Sequence, residues 1–209
     1  MRAWQWMASV ALAAGLAGCG SPEPINYYTL VPGFDQTRPA ASSAVRDAVA
    51  SSGAVAVQVL PVSLPVELDT SRLLVRTGPG AMVPFNGERW MGQLSDQIRA
   101  ALSDNLSRKL DLPAVQSDAQ AADGAIWRVQ IEVQRFESTP QGLAGLEAVW
   151  RVRHSDRKDQ PPLCHSRLQR QSETADVASL VQAHQANIDS LASEMAAAIA
   201  TGRCPAAAG

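Results

Sequence analysis

The chain has no surplus of basic residues. Its 18 Lys and Arg stand against 20 Asp and Glu, a formal net charge of −2. That balance argues against nucleic acid as the main partner, because neutralising a phosphate backbone takes a clear basic excess. The apolar run at 7–17 falls short of the roughly 20 residues a bilayer-spanning helix needs. The chain carries no Gly-x-Ser-x-Gly elbow, no Walker A loop and no dinucleotide fingerprint. Gly78-Pro79-Gly80 lacks the lysine and helix start of a phosphate loop, and so reads as a turn. Aromatic residues are few, at 5%, and the three cysteines do not make an even set. What remains is a globular composition, 46% apolar and 18% charged. Its length suits one domain with a substantial core.

The odd cysteine count resolves at the amino terminus. Arg2 precedes the apolar run, and the run leads into Leu16-Ala17-Gly18-Cys19. A positive start, a short apolar stretch and small residues before a cysteine form a secretory signal of the lipoprotein type. Cleavage before Cys19 removes residues 1–18 and leaves 191 of the 209 residues, with the net charge moving from −2 to −3 as Arg2 is lost. Cys19 is then the acylated anchor. Cys164 and Cys204 are left as an even pair in an oxidising compartment, a candidate disulfide. The position after the anchor is Gly20 rather than the Asp that directs inner-membrane retention in many Gram-negative bacteria, so the expected destination is the outer membrane, facing the periplasm. With acyl chains contributing about 0.8 kcal/mol per buried CH₂, release from the membrane is negligible.

Downstream, the apolar periodicity predicts a strand at 25–31, about six residues beyond Cys19. That tether reaches roughly 20 Å when extended, so the domain sits close to its membrane. Residues 35–53 form a surface loop with a short helix near 43–50. Strands follow at 54–60, 73–77 and 81–85, then an amphipathic helix over 88–110. Further strands are expected at 125–136, 146–152 and 163–174. A last helix runs from about 176 to 201, with Asp176 as N-cap and Gly202 as its stop. The predicted fold is α+β: a largely antiparallel sheet with two amphipathic helices packed on one face. The domain plan is a signal at 1–18, a tether at 19–24, a single domain at 25–204 and a tail at 205–209.

Few residues invite chemistry. Cys164 and His165 are adjacent and point to opposite faces of a strand, which makes a poor zinc chelate. His184 falls on the apolar stripe of the last helix, the place of a core or interface histidine. Glu67 and Asp69 read as solvated loop charges. No catalytic, cofactor or metal site is expected.

A resemblance rests on other motifs. A lipobox cysteine is followed by Tyr27-Tyr28-Thr29-Leu30. Residues 55–64 read Val-Ala-Val-Gln-Val-Leu-Pro-Val-Ser-Leu, ahead of Pro65. Leu74-Val75-Arg76-Thr77-Gly78 comes next, then Glu88-Arg89-Trp90, then Leu94, Leu102 and Asn105-Leu106. In this order, over residues 19–110, the motifs resemble the PqiC family of auxiliary lipoproteins, which serve ABC-type and MCE-domain intermembrane transport systems. The resemblance implies a non-enzymatic outer-membrane component of lipid transport between the two membranes, working with a periplasm-spanning MCE-domain protein and supporting envelope integrity. Phospholipid and a second copy of the chain are further candidate partners. Tyr27, Tyr28, Arg76, Arg89 and Trp90 are candidates for partner contact. The alternative for the tyrosines and Trp90 is structural, with Trp90 anchoring the helix to the sheet. A lipid-binding carrier with an apolar cavity between helices and sheet, or an assembly lipoprotein of another envelope complex, are the competing readings.

Overall fold

The computed structural model describes residues 24–33, 41–117, 124–158 and 160–206. The expected signal segment and Cys19 lie outside them. The elements run β1 (Asn26–Tyr28), α1 (Ser43–Ser52), β2 (Ala54–Val59), β3 (Arg72–Gly78), β4 (Ala81–Trp90), α2 (Leu94–Leu110), β5 (Ala125–Ser138), β6 (Leu143–His154), β7 (Cys164–Gln171) and α3 (Val177–Thr201).

The strands form two sheets rather than the one expected. A four-stranded sheet has the order β2-β5-β6-β7, and a three-stranded sheet the order β1-β4-β3. Each is mixed: β2 runs parallel to β5, and β1 parallel to β4, while the remaining pairs are antiparallel. Alternation along a strand reports which face is buried but not which strand lies beside it, so the second sheet had no signature. The fold is nonetheless α+β.

The four-stranded sheet carries the core. Alternation buries Val129, Ile131 and Val133 on β5 and Leu146, Ala148, Trp150 and Val152 on β6. A register shift between Val133 and Arg135 restores Phe136 to the inner face. Onto this face pack Ile98, Leu102 and Leu106 of α2 and Ile188, Leu191 and Met195 of α3. Each such side chain is worth roughly 1.5–3 kcal/mol on burial. α1 is a third helix and packs against α3. Its N-cap, Ser42, accepts a hydrogen bond from the Val45 amide at 3.3 Å. Between α2 and α3, Lys109 pairs with Asp189 at 3.0 Å.

The helix expected from residue 88 begins instead at Leu94, and Glu88-Arg89-Trp90 is the end of β4. Trp90 lies four residues before Leu94 and so mimics a helical stripe, but its backbone pairs with Tyr28 of β1 and donates to the Ser71 carbonyl. The residue before α2, Gln93, makes no side-chain capping bond. Asp69 takes that role from a preceding loop. Its Oδ1 accepts from the Ser95 amide at 2.9 Å and its Oδ2 from the Ser95 hydroxyl at 3.0 Å. Asp69 is therefore not a free loop charge. α3 is capped as its sequence suggests: Asp176 Oδ1 accepts from the Ser179 amide at 2.8 Å, and Gly202 closes the helix at φ 66°. Among the described residues, no helix is long and apolar enough to cross a membrane.

Candidate functional site

The first described residues lead into β1. Asn26, Tyr27 and Tyr28 lie beside Glu88, Arg89 and Trp90. Gly87 makes the approach possible: its φ is 73°, and a Cβ there would sit 2.9 Å from the Pro24 carbonyl oxygen. The segment after β1 is held by the helices. Thr29 donates its hydroxyl to Gln97 Oε1 at 2.9 Å, Gln185 donates to the Thr29 carbonyl at 3.0 Å, and Leu30 is fully buried.

The structure brings some of the sequence candidates together. Arg89 is level with Tyr27 on one side and Arg72 on the other. Tyr27 is 58% exposed. The three residues form a row across the outer face of the small sheet, with two guanidinium groups on neighbouring strands. Arg72 was not singled out in the sequence, because a cross-strand neighbour leaves no mark there. Tyr28 points to the opposite face. Burial and the nearby Glu88 carboxylate push its hydroxyl up to about 12.

Two candidates have structural places. Trp90, 2% exposed, is a core residue rather than a surface contact. It meets Phe136 edge-on, with ring centroids 6.1 Å apart, and His184 at 6.3 Å. Arg76 bonds Glu137 at 2.5 Å and so fastens β3 to the end of β5. That carboxylate raises the pKa of the guanidinium further.

His184 is fully buried, stacked on Phe136 at 4.2 Å, with Nε2 2.9 Å from the Ser138 hydroxyl. Desolvation pushes its imidazole down to about 3, so it is neutral. On the solvent face of the large sheet, Glu147 is surrounded by Arg167, His165 and Arg135. Arg167, followed by the other two, holds its carboxyl below the usual range. Among the described residues, no group of three His, Cys, Asp or Glu is arranged to hold a metal ion.

The far end of the large sheet has a cavity of about 170 Å³ whose lining includes Trp127, His154, Arg153, Arg157, Cys164 and Arg203. Arg157 lies over the Trp127 ring at 5.5 Å, and His154 meets that ring edge-on at 4.8 Å. Next to it, Cys164 and Cys204 are joined by a disulfide that ties the start of β7 to the end of α3, with Cα atoms 5.3 Å apart. The sequence reading passed over this cavity. Its one signal was the run of cations Arg151, Arg153, Arg157 and Lys158 around a strand end.

The family described as the ABC-type transport auxiliary lipoprotein component matches residues 36–196. Two crystal structures share the fold. One, of an uncharacterized protein, is 18% identical, with a TM-score of 0.64 over 85% of this chain and 99% of that one. The other, protein XCC0632 from Xanthomonas campestris, assigned to DUF330, is 18% identical, with a TM-score of 0.62 over 85% of this chain and 96% of that one. At this identity the likeness speaks to the fold alone. No curated protein matches the chain.

Proposed function

The chain belongs to the family of ABC-type transport auxiliary lipoprotein components, and from that membership we propose that it serves a transporter moving lipid between the inner and outer membranes. In this reading Cys19 is acylated, the domain hangs from the outer membrane into the periplasm, and an MCE-domain protein bridges to the other membrane. The role is non-enzymatic docking, and envelope integrity depends on it.

The observation that carries the reading is the family match over 36–196 taken together with the shortness of the tether. β1 starts at Asn26, so the sheet begins seven residues after Cys19. An extended chain of that length spans roughly 25 Å at most. A domain held so near one membrane needs a long partner to connect with the other. The carrier alternative receives no support from the helix–sheet interface, where Leu102, Leu106, Ile188, Leu191 and Met195 fill the space a lipid tail would need.

Crosslinking in intact cells followed by affinity purification is expected to recover an MCE-domain protein, and deletion is expected to raise detergent sensitivity. Normal detergent resistance, with no such protein recovered, would sink the proposal. Cys19→Ser is expected to abolish palmitate labelling and release the protein from the membrane fraction. Unchanged labelling would refute the lipobox.

A further inference from the structure

β3 and β4 form a hairpin whose far end is unusual in its chemistry. From Thr77 to Gly87 the chain carries no Asp, Glu, Lys, Arg or His. Val83 is 43% exposed and Phe85 36%, and Pro79, Ala81 and Pro84 are exposed beside them. Val83 lies directly across from Val75 of β3. Val83 and Phe85, together with Val75, Thr77 and Pro140, border an apolar groove of about 450 Å³. Contiguous exposed apolar surface on a protein of this size marks an interaction site.

Where the chain enters indicates what covers this surface. β1 is parallel to β4, with Asn26 beside Glu88. Its amino-terminal end therefore points back along β4 toward the hairpin turn. Pro24 lies against Gly87, and Ile25, 53% exposed, precedes the strand. Cys19 is five residues before Pro24, a reach of roughly 18 Å at most. The hairpin continues from Asn86 back to Gly80, six residues or roughly 20 Å in the same direction. An anchor at Cys19 is thus within reach of the level of the hairpin's apolar end.

We propose that the β3–β4 hairpin seats on the bilayer that holds the acylated Cys19, with Val83 and Phe85 at the lipid interface. This rests on the anchoring of Cys19. The acyl chains hold the protein at the membrane, and the hairpin adds orientation. A lipid anchor alone lets a domain tumble on its tether, whereas a second apolar contact fixes which face looks away from the membrane. The end carrying Arg153, Arg157 and Arg203 is then turned outward. Trp127 at that end and Pro140 at the hairpin end are 13 residues apart along one strand and its turn, roughly 40 Å.

The test uses the full-length acylated protein in vesicles of phosphatidylethanolamine and phosphatidylglycerol containing a spin-labelled quencher lipid. An environment-sensitive fluorophore is attached at Phe85→Cys, with Val83→Cys as a second site in case the first variant fails to fold. Val66→Cys is the comparison. Val66 is 87% exposed but belongs to the loop at the Trp90 end of β4. The labels at 85 and 83 are expected to shift to the blue and lose most of their emission to the quencher, and the label at 66 to keep its emission. Protein that floats with the vesicles while its label at 85 stays unquenched overturns the proposal and leaves the anchor reading intact. Shielding of that label that follows protein concentration rather than lipid also overturns it, in favour of a second copy. Protein that does not float at all removes the anchor, and the proposal with it.

Discussion

Burial leaves His184 neutral in the folded chain down to about pH 3, whereas the unfolded chain takes up a proton near 6.5. Between those values the unfolded state binds more protons, so stability is complete above 6.5 and is lost as the pH falls toward 3. The slope is at most about 1.4 kcal/mol per pH unit. Urea midpoints at pH 7.5 and pH 5 are expected to differ in the wild type, and the difference to shrink in His184→Gln whatever that variant's absolute stability. An equal difference in the variant would assign the acid sensitivity to other groups. Gly87 is the second residue with a sharp prediction. Alanine there meets both an unfavourable φ and the Pro24 carbonyl, so Gly87→Ala is expected to cost about 1 kcal/mol or more. Hydrogen exchange is expected to show the Tyr28 segment loosening first. At this scale the sequence was a fair guide to burial. Spacing put His184 on an apolar stripe, as a core or interface residue, and the structure buries it. Its limit was partners distant along the chain, such as Asp69 with Ser95, Arg72 with Arg89, or Arg76 with Glu137.

At the scale of elements, the helices were legible because a 3.6-residue period and local caps are contained in one stretch of chain. α3 has both, and its bounds follow its sequence. α2 has the stripe but no local cap, and so its start was misread by six residues. Its cap is supplied by Asp69, 26 residues upstream of Ser95. Asp69→Ala is expected to lower stability by about 1 kcal/mol, read as a shift in denaturant midpoint, while Glu67→Ala, exposed on the same loop, leaves it unchanged. Equal effects would show that the loop charge matters and not the cap. Two strands of the small sheet were harder to read, because β1 has only three residues and the second half of β4 borrows an apolar residue in helical register.

Over the whole molecule, the arrangement of the strands into two sheets depends on pairings that no single stretch of sequence encodes. The parallel pairs β1–β4 and β2–β5 each join residues more than 60 positions apart. Compartment and parity did point to the cysteine pair, since neither needs a structure. The bond closes a loop of 40 residues, worth about 4 kcal/mol in the chain-entropy account. Cys204→Ser is expected to lower the stability of the oxidised protein by up to that amount and to leave the reduced protein nearly unaffected. An equal loss under both conditions would mean that packing, not the crosslink, is responsible.

The parallel pairing of β1 with β4 has a mechanical consequence. An anchored protein drawn away from its membrane is loaded through its tether, and the load reaches the fold at the start of β1. Because β1 is pulled along its own length against β4, its ladder is strained in shear, all rungs together, and is not unzipped one rung at a time. Past Tyr28 the strain passes to Gln97 of α2, Gln185 of α3 and the buried Leu30. A three-residue strand thus hands the pull to the two helices that close the core.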